Sequence, residues 1–101
     1  MRKIEQQMIE AIRAKRDWES GNTKVVHERA NGINYADIYL HDNLIAVATP
    51  DTWDSYACAQ PNRAMFRAYP TRTTRSRLRA LGVNASIKNG AACINGMEVT
   101  A

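Results

Sequence analysis

Arginine is the residue type in this sequence whose spacing points most clearly to chemistry. Six arginines lie within residues 63–79 with no acidic residue among them, and two aromatic residues are interleaved. The set is Arg63, Arg67, Arg72, Arg75, Arg77 and Arg79, with Phe66 and Tyr69. A planar guanidinium group can bind two phosphate oxygens at once and can stack on a nucleobase. The cluster therefore predicts a surface for an anionic partner.

The charge of the chain is divided unevenly between its two halves. Residues 1–54 carry seven basic and nine acidic side chains, a net charge of −2, whereas residues 55–101 carry seven basic and one acidic, a net charge of +6. Such asymmetry indicates an anionic partner, either nucleic acid or an acidic host protein surface. Alternatively, the arginines form a solvated face, or they pair with carboxylates of the first half. Those carboxylates include Asp37, Asp42, Asp51 and Asp54.

Three of the arginines are spaced for one side of a helix. Arg72, Arg75 and Arg79 lie three and four residues apart, which places them on a shared face next to the amide groups of a helix start. No zinc-finger, recognition-helix or ribonucleoprotein motif accompanies them, so the spacing favours contact with a phosphate backbone over readout of base sequence. Six such contacts would make binding strongly dependent on salt.

Residues suited to catalysis or metal binding are few and scattered. His27, His41, Cys58 and Cys93 stand singly, without the close spacing of metal ligands. A cysteine could meet His41 in the fold as nucleophile and base, but no flanking motif indicates it. The two cysteines are expected to be reduced and half-buried, with a disulfide as the alternative.

Phosphate-binding loops and acid–base pairs are equally weakly indicated. The sequence holds no glycine-rich phosphate loop, and Asp51 and Asp54 beside Trp53 are more typical of a turn or a helix cap than of an acid–base pair. We therefore expect a protein that is not an enzyme and that uses no metal or cofactor. A competing protein-binding patch would consist of Tyr35 and Tyr39 with Trp53 or Tyr56, unless a helix covers it.

The first half of the chain predicts a helix followed by an antiparallel meander. Apolar residues recur at helical spacing from Ile4 to about Arg16, with Glu5 on the polar side, and Ser20-Gly21-Asn22 reads as a stop with Trp18 folded back as an anchor. Strands follow at 24–27, 33–40 and 44–48. Asn31-Gly32 provides a tight turn between the first two of these strands.

The second half predicts a short helix and a second meander. Residues 49–70 are the least defined part, and Met65 to Tyr69 resembles an edge strand. A helix capped by Thr71, Thr73 or Thr74 runs to Leu81 and ends at Gly82. Two Asn-Gly turns then separate three strands between residues 83 and 100. The pattern predicts an α+β fold in a single domain, residues 1–101, present as a monomer or a homodimer.

The location is expected to be cytoplasmic. No run of about 20 apolar residues could span a membrane, and the first residues turn polar where a signal peptide would turn apolar.

Three patterns carry a resemblance to a known family. They are W-x-SGNT from Trp18, YLHxNxIA from Tyr39 and PTxTTRSRLxALG from Pro70. With these patterns the chain resembles small accessory proteins encoded by bacteriophages and related mobile elements. The resemblance implies a viral protein acting in a bacterial host cell and carries over no catalytic residue. Two roles are compatible with it: nucleic-acid binding, or inhibition of a host defence or regulatory complex, as by an anti-CRISPR protein.

Overall fold

Helices and antiparallel strands make up the computed structural model, which describes residues 1–50 and 59–100. The helices are α1 (Lys3–Arg13), α2 (Arg63–Ala68) and α3 (Arg72–Ala80). The strands are β1 (Trp18–Ser20), β2 (Thr23–Ala30), β3 (Ile33–Leu40), β4 (Asn43–Ala48), β5 (Gln60–Pro61), β6 (Ala85–Lys88), β7 (Ala91–Ile94) and β8 (Met97–Glu98). The predicted α+β class is confirmed.

Two antiparallel sheets follow the chain order. The first runs β1-β2-β3-β4-β5 and the second β6-β7-β8. The predicted Asn-Gly turns are confirmed, and the asparagines and glycines at 31–32, 89–90 and 95–96 all have positive φ. Positive φ at both central residues matches the right-handed twist of the flanking strands, which is why Asn-Gly fixes these hairpins.

The segment after α1 differs from the sequence expectation. Trp18–Ser20 is a strand that pairs with Thr23–Val25, so residues 21 and 22 form a hairpin turn rather than a helix stop. Trp18 does pack against the core as expected. The prediction placed Glu5 on the polar side of α1, but this residue is 3% exposed. Its buried carboxylate is paired with Arg77.

The predicted edge strand from Met65 to Tyr69 is wrong. Most of this segment forms the helix α2, with Tyr69 as its C-terminal cap. The Asn62 side chain accepts a hydrogen bond from the backbone amide of Met65 and donates one to the carbonyl of Leu44. A capping residue thus starts a short helix and ties it to β4, an arrangement that the brief apolar pattern did not reveal.

Helix α3 follows the prediction closely. Thr71 is its N-cap, and the Thr71 hydroxyl accepts from the amide of Thr74 at 3.1 Å. Leu78 and Leu81 are buried as predicted, and Gly82 ends the helix with a φ of 88°. The left-handed conformation after a helix favours glycine, which has no Cβ to clash.

One hydrophobic cluster joins both sheets and all three helices. It includes Met8 and Ile12 of α1, Ile38 of β3, Phe66 of α2 and Leu78 of α3, together with alanine and isoleucine of the second sheet. Cys93 is buried as a free thiol, while Cys58 lies outside the described residues. No helix in residues 1–50 or 59–100 is long and apolar enough to cross a membrane.

Candidate functional site

A groove of about 510 Å³ lies between the beginning of α1 and the outward side of α3. Four arginines contribute to its lining, and we call it the arginine groove. Its lining residues are Met1, Arg2, Glu5, Arg72, Arg75, Ser76, Arg79 and Ala80. A concave site with this many guanidinium groups concentrates positive potential and would attract a compact anion.

The periodicity of α3 explains why three predicted arginines meet there. At about 100° per residue, Arg72, Arg75 and Arg79 fall within a narrow arc, so all three side chains reach the same groove. Arg2 completes the site from the N-cap position of α1. Arg2 is not among the site residues predicted from the sequence, because nothing in the local pattern indicates that α1 packs beside α3.

A buried ion pair holds α1 against α3 beneath the groove. Arg77 Nη1 donates to Glu5 Oε2 at 2.8 Å, and both side chains are 4% exposed. Ser76 Oγ donates to the same oxygen at 2.5 Å. Arg77 also donates from Nε to Thr23 Oγ1 and from Nη2 to Asn22 Oδ1. The pair therefore links α1, α3 and the β1–β2 turn.

This network also determines the charge of the groove. Burial alone would raise the pKa of Glu5, but the hydrogen bonds from Ser76 and Arg77 outweigh it and hold the pKa below its usual value of 4.5. Glu5 is thus ionised at neutral pH, with its charge compensated by Arg77. Because Arg77 compensates the carboxylate in the lining, no carboxylate of residues 1–50 or 59–100 compensates the positive charges of the other groove arginines.

The three arginines of α3 in the groove differ in how firmly they are held. Arg79 Nε donates to the carbonyl of Ala85 at 2.6 Å, which fixes the stem of that side chain. Arg75 Nε is buried and has no hydrogen-bond partner among the described residues. Arg72 is exposed. Across residues 1–50 and 59–100, no carboxylate pairs with any of the three.

The remaining predicted site residues are divided between surface and core. Arg63 and Arg67 are exposed on α2, outside the arginine groove. The expectation that Arg77 and Phe66 belong to the binding surface needs correction. Arg77 is 3% exposed and paired with Glu5, and Phe66 is 1% exposed within the core. Both side chains fall on the inward faces of their helices, so neither can contact a partner. Tyr69, by contrast, is 57% exposed.

Tyr69 lines a second groove of about 270 Å³ on the other side of the α3 N-terminus. We call it the tyrosine groove. Its lining residues are Leu40, His41, Asn43, Ile45, Met65, Tyr69, Thr71, Thr73 and Thr74. The lining is more apolar than that of the arginine groove, and the side chains of Asn43 and Thr73 bring hydrogen-bonding groups to it.

Of the six arginines in residues 63–79, only Arg77 pairs with a carboxylate in the described part of the chain, and that carboxylate is Glu5. Asp42 pairs with Lys24 at 3.5 Å. Asp37 is buried next to Glu28, and burial followed by that like charge raises its pKa. Asp51 and Asp54 lie outside the described residues.

Where the structure describes them, the other chemical candidates of the sequence do not form a cluster that could bind a metal ion. Among residues 1–50 and 59–100, no group of three histidine, cysteine or acidic side chains comes together. His27 approaches the carbonyl of Ala11 at 3.2 Å through Nε2. Tyr35 and Tyr39 are half-buried on the first sheet, with Lys24 Nζ 5.0 Å from the Tyr39 ring centre. Their suggested neighbours Trp53 and Tyr56 lie outside the described residues.

Comparison with known proteins establishes the family without adding an activity. The chain matches no curated protein and no solved structure. The family model that does match carries a description that names a phage protein and no function, in agreement with the phage resemblance of the three sequence patterns. That model, Kyanoviridae Gp96 protein, matches residues 1–101, and the chain belongs to this cyanophage protein family.

Proposed function

We propose that this protein is a non-enzymatic accessory protein that binds nucleic acid through phosphate groups held in the arginine groove. The observation that carries the proposal is the convergence of Arg2, Arg72, Arg75 and Arg79 on one concave site whose carboxylate, Glu5, is already paired with Arg77. The phage family gives the context of a bacterial host cell, where the protein would act in the cytoplasm.

The charge arrangement favours phosphate as the group bound. Guanidinium groups bind phosphate bidentately, and several of them around a groove can surround successive phosphates of one backbone. The N-terminal end of α3 adds a favourable partial charge, since Arg72 and Arg75 lie in its first turn. No base-reading element is required, so the proposal is binding without strong sequence preference.

The salt dependence of binding tests this proposal. Four phosphate contacts give a slope of log affinity against log salt of about −3 on single strands and about −3.6 on duplex. Arg2→Ala combined with Arg72→Ala removes two exposed groove arginines and should weaken that slope by about 1.5. Fluorescence anisotropy of a labelled oligonucleotide across a salt series measures the slope.

Arg63→Ala combined with Arg67→Ala is the matched control. It removes the same two positive charges from exposed positions on α2 that do not line the groove. This control should change the slope by less than about 0.5, since its side chains do not contact the bound backbone. Equal slopes for the two double variants would show that total charge, not the groove, governs binding.

Absence of any binding at low salt would overturn the nucleic-acid proposal. In that case an acidic protein surface, such as that of a host defence or regulatory complex, becomes the remaining anionic partner for the same arginines. A pull-down from nuclease-treated host lysate would then recover a stoichiometric protein with the wild-type chain, and the Arg2/Arg72 double variant would lose it.

A further inference from the structure

The tyrosine groove holds an exposed aromatic ring beside an apolar wall. Tyr69 is 57% exposed, whereas the neighbouring groove residues Leu40 and Ile45 are 4% and 2% exposed. An exposed ring over a floor of buried aliphatic side chains offers a flat apolar face to a planar ligand. Asn43 and Thr73 add donors and acceptors at the same groove.

The backbone presents the Tyr69 ring from a fixed position. Tyr69 is the C-terminal cap of α2, and its amide donates to the carbonyl of Met65 at 2.9 Å. Two residues later Thr71 caps α3, so the short connection between two helices carries the ring. A ring attached to such a connection loses little backbone freedom when a ligand stacks on it.

The two grooves lie on either side of the first turn of α3. Thr71, Thr73 and Thr74 line the tyrosine groove, while Arg72 and Arg75 line the arginine groove. A helix with its side chains is only about 10–12 Å wide, so a single flexible chain can cross its N-terminal end and occupy both grooves. The ligand that fits has a phosphate backbone on one side and planar apolar groups on the other.

We propose that the tyrosine groove is a base-stacking site and that the nucleic acid bound is single-stranded. This inference rests on the proposed function and names its substrate class. In a duplex the bases are paired and stacked on one another, so their faces cannot reach Tyr69 without being flipped out. An unpaired strand keeps its base faces free, and a basic groove combined with an aromatic platform is the arrangement that such strands require.

Three labelled probes of equal length separate stacking from phosphate contact. They are an oligothymidine strand, a strand of abasic sites with the same backbone, and a duplex. Fluorescence anisotropy should show the wild-type protein binding oligothymidine at least about fivefold more tightly than the abasic strand, because stacking on one aromatic residue contributes that much. Tyr69→Ala should lose about fivefold or more on oligothymidine and leave abasic and duplex binding unchanged.

Tyr69→Phe is the conservative control and should keep the oligothymidine affinity, since stacking needs the ring and not the hydroxyl. Circular dichroism of each variant establishes that the fold is retained. If the wild-type protein binds oligothymidine and the abasic strand equally, or if Tyr69→Ala weakens both equally, the stacking proposal is wrong while the arginine groove stands. Failure of all three probes to bind at low salt would instead overturn the proposed function.

Discussion

The two sides of α3 hold the same residue type in opposite environments. Arg77 points inward, is 3% exposed and is paired with Glu5, whereas Arg72 points outward with no carboxylate partner in the described chain. The residues are five positions apart, so the helix turns through about 500° between them and brings Arg77 to the far side. Helical phase, and not residue type, therefore separates a structural arginine from one available to a ligand.

Replacing Arg77 should produce the largest effect. Arg77→Ala leaves the buried carboxylate of Glu5 without its main partner and should lower the free energy of unfolding by about 3–5 kcal/mol. Arg72→Ala removes an exposed side chain and should change it by less than about 0.5 kcal/mol. Urea denaturation followed by circular dichroism measures both.

A double replacement sharpens this contrast. Glu5→Met with Arg77→Met removes both charges together and should recover most of the stability, because an apolar pair of similar volume can replace a buried ion pair. If Arg77→Ala and Arg72→Ala both change the free energy of unfolding only slightly, Arg77 does not have the structural role that its contacts indicate.

The aromatic residues of the cluster provide the second contrast. Phe66→Ala empties a site that is 1% exposed and should cost about 3–5 kcal/mol of unfolding free energy. Tyr69 is 57% exposed, so Tyr69→Ala should lower the unfolding free energy by much less than half as much as Phe66→Ala. It should instead weaken the binding of an unpaired strand. Thermal unfolding of the two variants under identical conditions compares them directly. Equal losses of stability would contradict the assignment of Phe66 to the core and Tyr69 to the surface.

Much of the fold could be predicted from the sequence because local signals determine it. The asparagine–glycine pairs require positive φ, and Thr71 and Gly82 mark the ends of α3. The strand β1 and the helix α2 were missed for a shared reason. Each is short, and contacts outside the element stabilise it: β2, across a two-residue turn, for the strand, and β4, through the Asn62 side chain, for the helix.

The candidate site was predictable only in part. The spacing of three and four residues placed Arg72, Arg75 and Arg79 on one face of a helix, and all three line the arginine groove. Arg2 and the burial of Arg77 depend on the packing of α1 against α3, which joins residues 72 positions apart. No local pattern encodes such a contact, so the sequence could identify the basic segment but not which of its members face outward.

Two buried carboxylates, Glu5 and Asp37, test whether a neighbouring positive charge decides if a buried carboxylate stabilises or destabilises the fold. Glu5→Gln and Asp37→Asn are matched changes that remove a charge and keep the shape. Glu5 has a lowered pKa through its hydrogen bonds, so its charged form stabilises the fold above about pH 4.5, and this contribution is lost as pH falls through the folded-state pKa. Glu5→Gln should therefore cost about 2 kcal/mol at pH 7 and progressively less in acid.

Asp37→Asn should have the opposite sign to Glu5→Gln and a smaller effect. Burial and Glu28 raise the pKa of Asp37 above 3.8, so its charged form disfavours folding once the pH rises through the folded-state pKa. At pH 7 the replacement should stabilise the protein by about 0.2–1 kcal/mol, the size of a relieved like-charge contact across strands. Below pH 3.8 the wild-type side chain is protonated in both states and the gain should vanish, because no charge remains to be relieved. The unfolding midpoints of both variants over a pH series measure these effects. At pH 7 the midpoint of Glu5→Gln should lie below that of the wild type and the midpoint of Asp37→Asn above it, and both should approach the wild-type value in acid. If both midpoints shift in the same direction at pH 7, the partner of a buried carboxylate does not determine its effect on stability.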